Sequence, residues 1–271
     1  MSRLAVAATG PFGARVLAGL AARRSIAFCL TRVDRPRGRG QRLAPPPAKE
    51  TAEGLGVPVR QLDRLTPDTE LPAETIVVAD YGLLIPTALL DRHLWLNVHP
   101  SLLPRWRGAA PVERAIMAGD RETGVTIHRT TAELDAGPIA AQRSFAIAGE
   151  DAGAVYERAA GLAVDLLDGV LDGTSFQAQS EAGATYASKL TPADRVLDWA
   201  RPPEESLNRI RALSPSVGAR GEAEGRRVTV WKARLRQADS VLVADGLELL
   251  EVQPEGRRRM SGADFLRGTR K

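Results

Sequence analysis

A single cysteine, Cys29, stands in a chain of 271 residues. No internal disulfide can form, and the expected setting is a reducing cytoplasm. Histidine is almost as scarce, with three in all. Spread far apart, they argue against a tetrahedral zinc site, which draws on Cys and His. Aromatic residues make up 4%, so packing must rely on Leu, Val and Ala. No apolar run approaches the roughly 18 residues that a membrane span needs. The opening stretch MSRLAVAATG is too short and too glycine-interrupted to read as a secretory h-region. The phosphate-binding pattern G-x-x-x-x-G-K-[ST] is missing. The first turn, ATGPFGARVLAGL, spaces Gly10 and Gly13 as G-x-x-G rather than G-x-G-x-x-G. Although Asp34 follows the second expected strand, this reads as a tight strand-to-helix turn and not as a nicotinamide site.

What is present is a core and an uneven charge. Hydrophobic residues are 44% of the chain, and the net charge is +4. From Leu197 to Lys271 there are 15 basic and 11 acidic residues, while the preceding 196 residues balance at 22 of each. Within that neutral part, Arg32 to Lys49 carries six basic side chains and one acidic one, Asp34. This segment, RVDRPRGRGQRLAPPPAK, is too rich in Pro and Gly for a helix and reads as a loop. A basic loop with little to bury suits an anionic partner.

Short apolar runs alternate with helical patterns along the first two thirds. RLAVAAT, IAFCLT, TIVVAD and WLNV read as strands buried on both faces of a parallel sheet. GARVLAGLAAR, PVERAIMAG and residues 154–171 read as helices. Strand–helix–strand repetition argues for a doubly wound α/β domain. The pattern changes near residue 175. FQAQSEAGATYASKLTPADRVLDW has weak periodicity and reads as an ordered linker. PPEESLNRIRAL is helical. RRVTVWKARLR, SVLVAD and LELLEVQP alternate polar and apolar residues, as antiparallel strands with one wet face do. In MSGADFLRG, Ser261 is placed to cap a last helical turn. This is the pattern of a small OB-like barrel, a module that often binds nucleic acid. The expected division is 1–178, a linker at 179–196, and 197–271.

The stretch WLNVHPSLLPRWRGAAP, from Trp95 to Pro111, puts Asn97 and His99 at the end of a buried strand. Open α/β sheets bind ligands beyond the carboxyl ends of their strands. Residues two apart on a strand face the same side, so amide and imidazole point together into one crevice. Asp135 lies in the Gly/Pro loop of AELDAGPIAAQ. An amide, an imidazole and a carboxylate meet the needs of acyl transfer to an amine. Donors stabilise the oxyanion of a tetrahedral intermediate, and the carboxylate orients the imidazole and helps move the amine's proton. The bland alternative is that His99 merely satisfies backbone groups in a turn and that Asp135 is a turn former.

LNVHPSLLPRWRGAAPVERAIMAGDRETGVTI, with YGLLIP before it and LDAGP after it, closely resembles the core of the folate-dependent formyltransferases. The likeness extends along nearly the whole chain, through the basic segment, TYASKLTPADRVLDW and LELLEVQPEGRRRMSGADFLRG. It implies a Rossmann-like, doubly wound, mostly parallel sheet of the formyltransferase fold, followed by an OB-like β-barrel. It implies Asn97, His99 and Asp135 as the catalytic trio. Ser101, Leu102, Leu103 and Pro104 match a tetrahydrofolate-contacting segment, and Tyr81, Leu83 and Ile85 would line the pterin pocket. Arg35, Arg37, Arg39 and Arg42 match a loop that enters a tRNA acceptor stem. The implied reaction moves the formyl group of 10-formyltetrahydrofolate to the α-amino group of methionyl-initiator-tRNA, for translation initiation. No metal and no membrane are implied. The lack of an apolar surface stripe leads to the expectation of a monomer.

The chain departs from the family pattern in places. It is shorter before TIVVAD and within the barrel. Asp80 and Leu83 stand where a small apolar residue and a polar one are expected. The first turn lacks an acidic residue after its proline. His93 and His128 match nothing catalytic and read as surface or strand residues. Formyl transfer to an amino sugar nucleotide, or hydrolysis of formyl-folate, would use the same trio but has less need of the basic segment. A non-catalytic RNA-binding protein would not need the trio at all.

Overall fold

The computed structural model describes residues 3–37, 40–173 and 175–269. The chain forms two compact units. One takes in Met1–Arg107, Gly124–Ser144 and Tyr156–Tyr186, the other Gly108–Thr123, Phe145–Val155 and Ala187–Lys271.

The first unit is built on a seven-stranded sheet. Its strands are β1 (Leu4–Ala8), β2 (Cys29–Arg32), β5 (Val59–Leu62), β6 (Thr75–Ala79), β7 (Leu94–His99), β9 (Glu122–Arg129) and β10 (Ile139–Ala146). The spatial order is β10-β9-β7-β6-β1-β2-β5. Neighbours from β5 through β7 run parallel, whereas β9 runs antiparallel to β7. The expected doubly wound sheet is therefore present, with its connections reversing between β1 and β6. Every residue of β1 is buried, as a strand covered on both faces requires. The core on one face gathers Ala5, Leu30, Ile76, Val78 and Trp95, whose indole Nε1 donates to the Leu89 carbonyl at 2.8 Å.

The first turn is a packing device. A Cβ on Gly13 would lie 2.2 Å from the Ala79 carbonyl oxygen, so the helix Pro11–Ala21 can sit this close to β6 only with glycine there. Asp34 is engaged within the protein. Its carboxylate accepts from Lys49 at 2.9 Å and from Gln61 at 2.6 Å, and these bonds hold it below the usual carboxylate range. Cys29 is fully buried, its thiol 3.9 Å from the Ala48 carbonyl, and burial pushes it up to about 12.

The basic segment differs from the expected loop. Arg35–Arg37 and Arg42–Ala44 are β3 and β4, an antiparallel two-stranded ribbon with Pro36 opposite Leu43. Proline is tolerated because such a ribbon has no second neighbour to require its missing N–H. Two short strands, β8 (Arg107–Gly108) and β11 (Tyr186–Ala187), pair with each other. The long helix begins two residues earlier than expected, at Ala152, where the Asp151 carboxylate accepts from the Ala154 amide at 2.9 Å.

In the second unit the helix Pro203–Leu213 packs on an antiparallel sheet of β12 (Ala219–Ala223), β13 (Arg226–Leu235), β14 (Val243–Ala244), β15 (Leu247–Pro254) and β16 (Met260–Ser261). The sheet is a curled half-barrel around Ile210, Leu213, Val230, Leu249 and Phe265. SVLVAD supplies only the two residues of β14, so this OB-like sheet is shorter at that edge than its sequence pattern suggests. Ser261 accepts from the Asp264 amide at 3.1 Å, the expected cap. Within this unit Arg114 and Asp194 form a 2.6 Å ion pair, each side chain 18% exposed. Among the described residues no helix is long and apolar enough to cross a membrane.

Candidate active site

The carboxyl end of β7 carries the site. Asn97 and His99 share one face of the strand, as their spacing predicts, and Asp135 reaches them from the loop between β9 and β10. The Asn97 amide nitrogen donates to Asp135 Oδ1 at 3.2 Å, and His99 Nδ1 lies 3.6 Å from Asp135 Oδ2. The three side chains named from the sequence thus meet around one carboxylate.

Hydrogen bonding assigns the protons. His99 Nε2 lies 2.8 Å from the Trp106 carbonyl, which can only accept, so the ring carries its proton on Nε2. In the neutral ring Nδ1 is then a free lone pair facing Asp135. His99 is 4% exposed. Burial lowers its proton affinity and outweighs the attraction of Asp135 and the bond to Trp106, while His128 lowers it further. The pair is therefore a waiting acceptor, because a proton arriving at Nδ1 would turn the contact into an ion pair.

His128, expected as a surface or strand residue that matches nothing catalytic, is a buried residue of β9 in contact with the trio. In the antiparallel register it stands directly across from Asn97. The Asn97 amide nitrogen also lies 3.0 Å from His128 Nε2. Asp135 only accepts, so the amide turns its hydrogens toward Asp135 and His128, and His128 Nε2 accepts. His128 Nδ1 then donates to the Arg129 carbonyl at 3.1 Å. Both Asn97 hydrogens are engaged, so an oxyanion could be bound through Asn97 only by displacing one of these partners. His93 lies elsewhere, half-buried, with Nδ1 2.7 Å from the Ala73 carbonyl.

The segment after β7 is clamped. Ser101 is fully buried and its hydroxyl donates to the Arg105 carbonyl at 2.8 Å. Thr126 donates to the Ser101 carbonyl at 2.7 Å and accepts from the Leu103 amide at 3.2 Å. The Gln142 amide nitrogen donates to the Leu103 carbonyl at 2.9 Å. Ser101 and Leu103 face inward, leaving Leu102 and Pro104 half-buried. Tyr81 is buried with its hydroxyl unpartnered, and Leu83 and Ile85 pack against the same core. Asp80 occupies the β1/β6 switch point, where its carboxylate lies so close that a Cβ on Gly10 would sit 1.8 Å from it.

The ribbon is the opposite kind of surface. Arg35 is exposed and pairs with Asp63 at 2.7 Å, and Arg42 is exposed. Arg37 lies in β3, while Arg39 lies outside the described residues. No group of three or more His, Cys, Asp or Glu side chains suited to a metal ion occurs among the described residues.

Comparison with known proteins accords with this geometry. Residues 2–171 match the model of the formyl transferase family, and residues 189–270 match that of the formyl transferase C-terminal domain. The methionyl-tRNA formyltransferase of Methylococcus capsulatus is 39% identical over 87% of this chain and 86% of its own length. That of Chromobacterium violaceum is 38% identical over 98% of this chain and 96% of its own. Among solved structures, HypX from Aquifex aeolicus in complex with tetrahydrofolic acid aligns with a TM-score of 0.69 at 17% identity, covering 98% of this chain and 47% of that one. An N-formyltransferase from Helicobacter canadensis aligns at 0.66 and 15% identity, covering 92% and 98%; at such identities the likeness is one of fold. A polar trio at a strand end, on a sheet and a half-barrel that each match their own family model, leaves one conclusion: the chain belongs to the formyl transferase family.

Proposed function

We propose that this enzyme transfers the formyl group of 10-formyltetrahydrofolate to the α-amino group of methionyl-initiator-tRNA, supplying the initiator for translation. The observation that carries the reading is the Asp135 carboxylate set between the Asn97 amide and the unprotonated Nδ1 of His99. The amine must lose a proton as it attacks the formyl carbon. Asp135, 12% exposed against 5% for the His99 side chain, is the more accessible member of the pair. It takes the proton from the amine and shares it with His99, whose lone pair burial keeps free; the proton then goes to N10 of the folate as the bond between N10 and the formyl carbon breaks. One Asn97 hydrogen leaves its partner for the formyl oxygen as negative charge develops there.

Substrate choice rests on the full-length likeness to methionyl-tRNA formyltransferases and on the basic ribbon. Leu102 and Pro104, presented by the buried Ser101 and Leu103, meet the folate, with Tyr81, Leu83 and Ile85 shaping the pterin side. Arg35, Arg37, Arg39 and Arg42 meet the acceptor stem through bidentate phosphate contacts and stacking, for which a guanidinium is suited. We assign catalysis to residues 1–178, a linker to 179–196 and further tRNA contacts to 197–271, in a cytoplasmic monomer.

Formyl-folate supplied with charged initiator tRNA, with an amino sugar nucleotide, or with water alone tests this reading. Formyl-methionyl-tRNA as the dominant product supports it. Turnover on the sugar alone, or hydrolysis unaffected by tRNA, overturns it.

A further inference from the structure

Asp135 is held in place by a residue that no motif marks. Its backbone is left-handed, with φ +50°, a conformation that aspartate visits but does not prefer. Two residues on, Gly137 is pressed so close to the strand that a Cβ there would lie 1.8 Å from the Arg129 carbonyl oxygen. The carbonyls of Asp135 and Gly137 both accept from one donor, the amide nitrogen of Gln179, at 2.8 and 2.6 Å. Gln179 lies in a stretch whose flanking residues, Gln177, Ala178 and Ser180, are exposed, yet it turns inward. The stretch docks through the backbone pair of Ile139 and Gln177, with bonds of 2.7 and 2.8 Å.

A glutamine amide can face either way, and only one way works here. Arg107, 1% exposed, fixes the choice by donating to Gln179 Oε1 at 3.0 Å. With the oxygen claimed, both hydrogens face the loop. The buried guanidinium is in turn matched by Glu181, which accepts two bonds of 2.9 and 3.1 Å. A relay therefore runs from Glu181 through Arg107 and Gln179 to the backbone of the catalytic loop.

We infer that Gln179 is a positioning residue for the Asp135–His99 pair, and that Arg107 sets the direction of its amide. This rests on the roles given to Asp135 and His99 above. Without the two donors, the Asp135 and Gly137 carbonyls lose their shared anchor and the loop relaxes from its strained conformation. The 3.6 Å spacing to His99 is then no longer held. Displacements of about an ångström near reacting groups lower rates by about 10²-fold.

Gln179→Met removes the donors at similar volume. Gln179→Glu keeps the length and can pair with Arg107, so it preserves packing if the methionine variant folds poorly. The expected result in either is a kcat lowered roughly 10- to 100-fold, with the KM for formyl-folate within about threefold. In an Asp135→Ala background Gln179→Met should add less than about twofold, since the two act on one element. A readout independent of turnover is the titration of the His99 ring followed by NMR. Asp135 raises the affinity of His99 for its proton, so a withdrawn Asp135 moves that titration to lower pH. Wild-type kcat together with an unshifted His99 titration in Gln179→Glu overturns the inference. A shifted titration in a chain whose wild type forms no formyl-methionyl-tRNA upholds the positioning and removes the proposed function instead.

Discussion

Two polar regions sit near the carboxyl ends of strands in the same sheet, and they are built differently. At the end of β7 both amide hydrogens of Asn97 are engaged, His99 and His128 are nearly inaccessible, and the following segment is tied to Thr126 and Gln142. Beyond β2 the ribbon projects Arg35 and Arg42 into solvent, with one ion pair to Asp63. Proton transfer needs groups placed to tenths of an ångström, which burial and crossed hydrogen bonds provide. An irregular polyanion rewards charge and reach, and a fixed geometry would restrict it. On the proposed roles, a buried, cross-bonded site and an exposed basic ribbon are thus two answers to two chemical demands.

Breaking the firm side should have the largest effect. His99→Ala should reduce formylation by at least about 10²–10³-fold, the scale on which active-site groups of this kind act. Adding Asp135→Ala should cost little more, because members of one proton-handling unit are strongly non-additive. Single-turnover assays at saturating tRNA check both, and a small loss in His99→Ala would equate this region with the ribbon.

The exposed side should respond to salt rather than to chemistry. Replacing Arg35, Arg37, Arg39 and Arg42 with alanine should raise the KM for tRNA and leave slow hydrolysis of formyl-folate intact. The log–log salt dependence of tRNA binding should flatten by about 0.7–0.9 per lost phosphate contact. Wild-type salt dependence in this variant would leave the half-barrel as the tRNA-binding surface.

The clamp that follows β7 can be tested by stability. Thr126→Val keeps the shape of a fully buried side chain but strips the hydroxyl that serves Ser101, Leu103 and Gln142. Leaving buried groups unpaired should cost about 1–3 kcal/mol, read from urea unfolding. The smallest effect is pH-dependent. The folded ring of His99 binds a proton less readily than its ordinary value of 6.5. Its contribution is therefore complete above that pH. It is lost as acid carries the solution below 6.5, because the unfolded chain then takes up a proton that the folded ring refuses. The stability slope on the acid side should be shallower in His99→Gln, by up to about 1.4 kcal/mol per pH unit.

Much of this was legible in the sequence, for identifiable reasons. The two-residue period of a strand is enough to put Asn97 and His99 on one face, and continuous apolar runs mark the buried parallel strands. His128 was missed because its place depends on β9 running antiparallel to β7, in a register that sets it opposite Asn97. A short apolar run such as GVTIHRT does not carry its direction. Gln179 was missed because its partner is backbone 44 residues away, and its own neighbourhood is polar and aperiodic. The basic segment was read correctly for charge and wrongly for conformation: Pro and Gly exclude a helix, but they permit an isolated ribbon whose strands need no further neighbours.

The buried thiol has a practical consequence. Cys29 is fully enclosed, and its proton is released only near pH 12, so maleimides at neutral pH meet almost no thiolate. The chain is therefore a ready host for a single engineered cysteine. A fluorophore placed through Arg42→Cys would report the ribbon alone, and its emission on titration with tRNA would test the proposed contact with the acceptor stem without a signal from the sheet beneath.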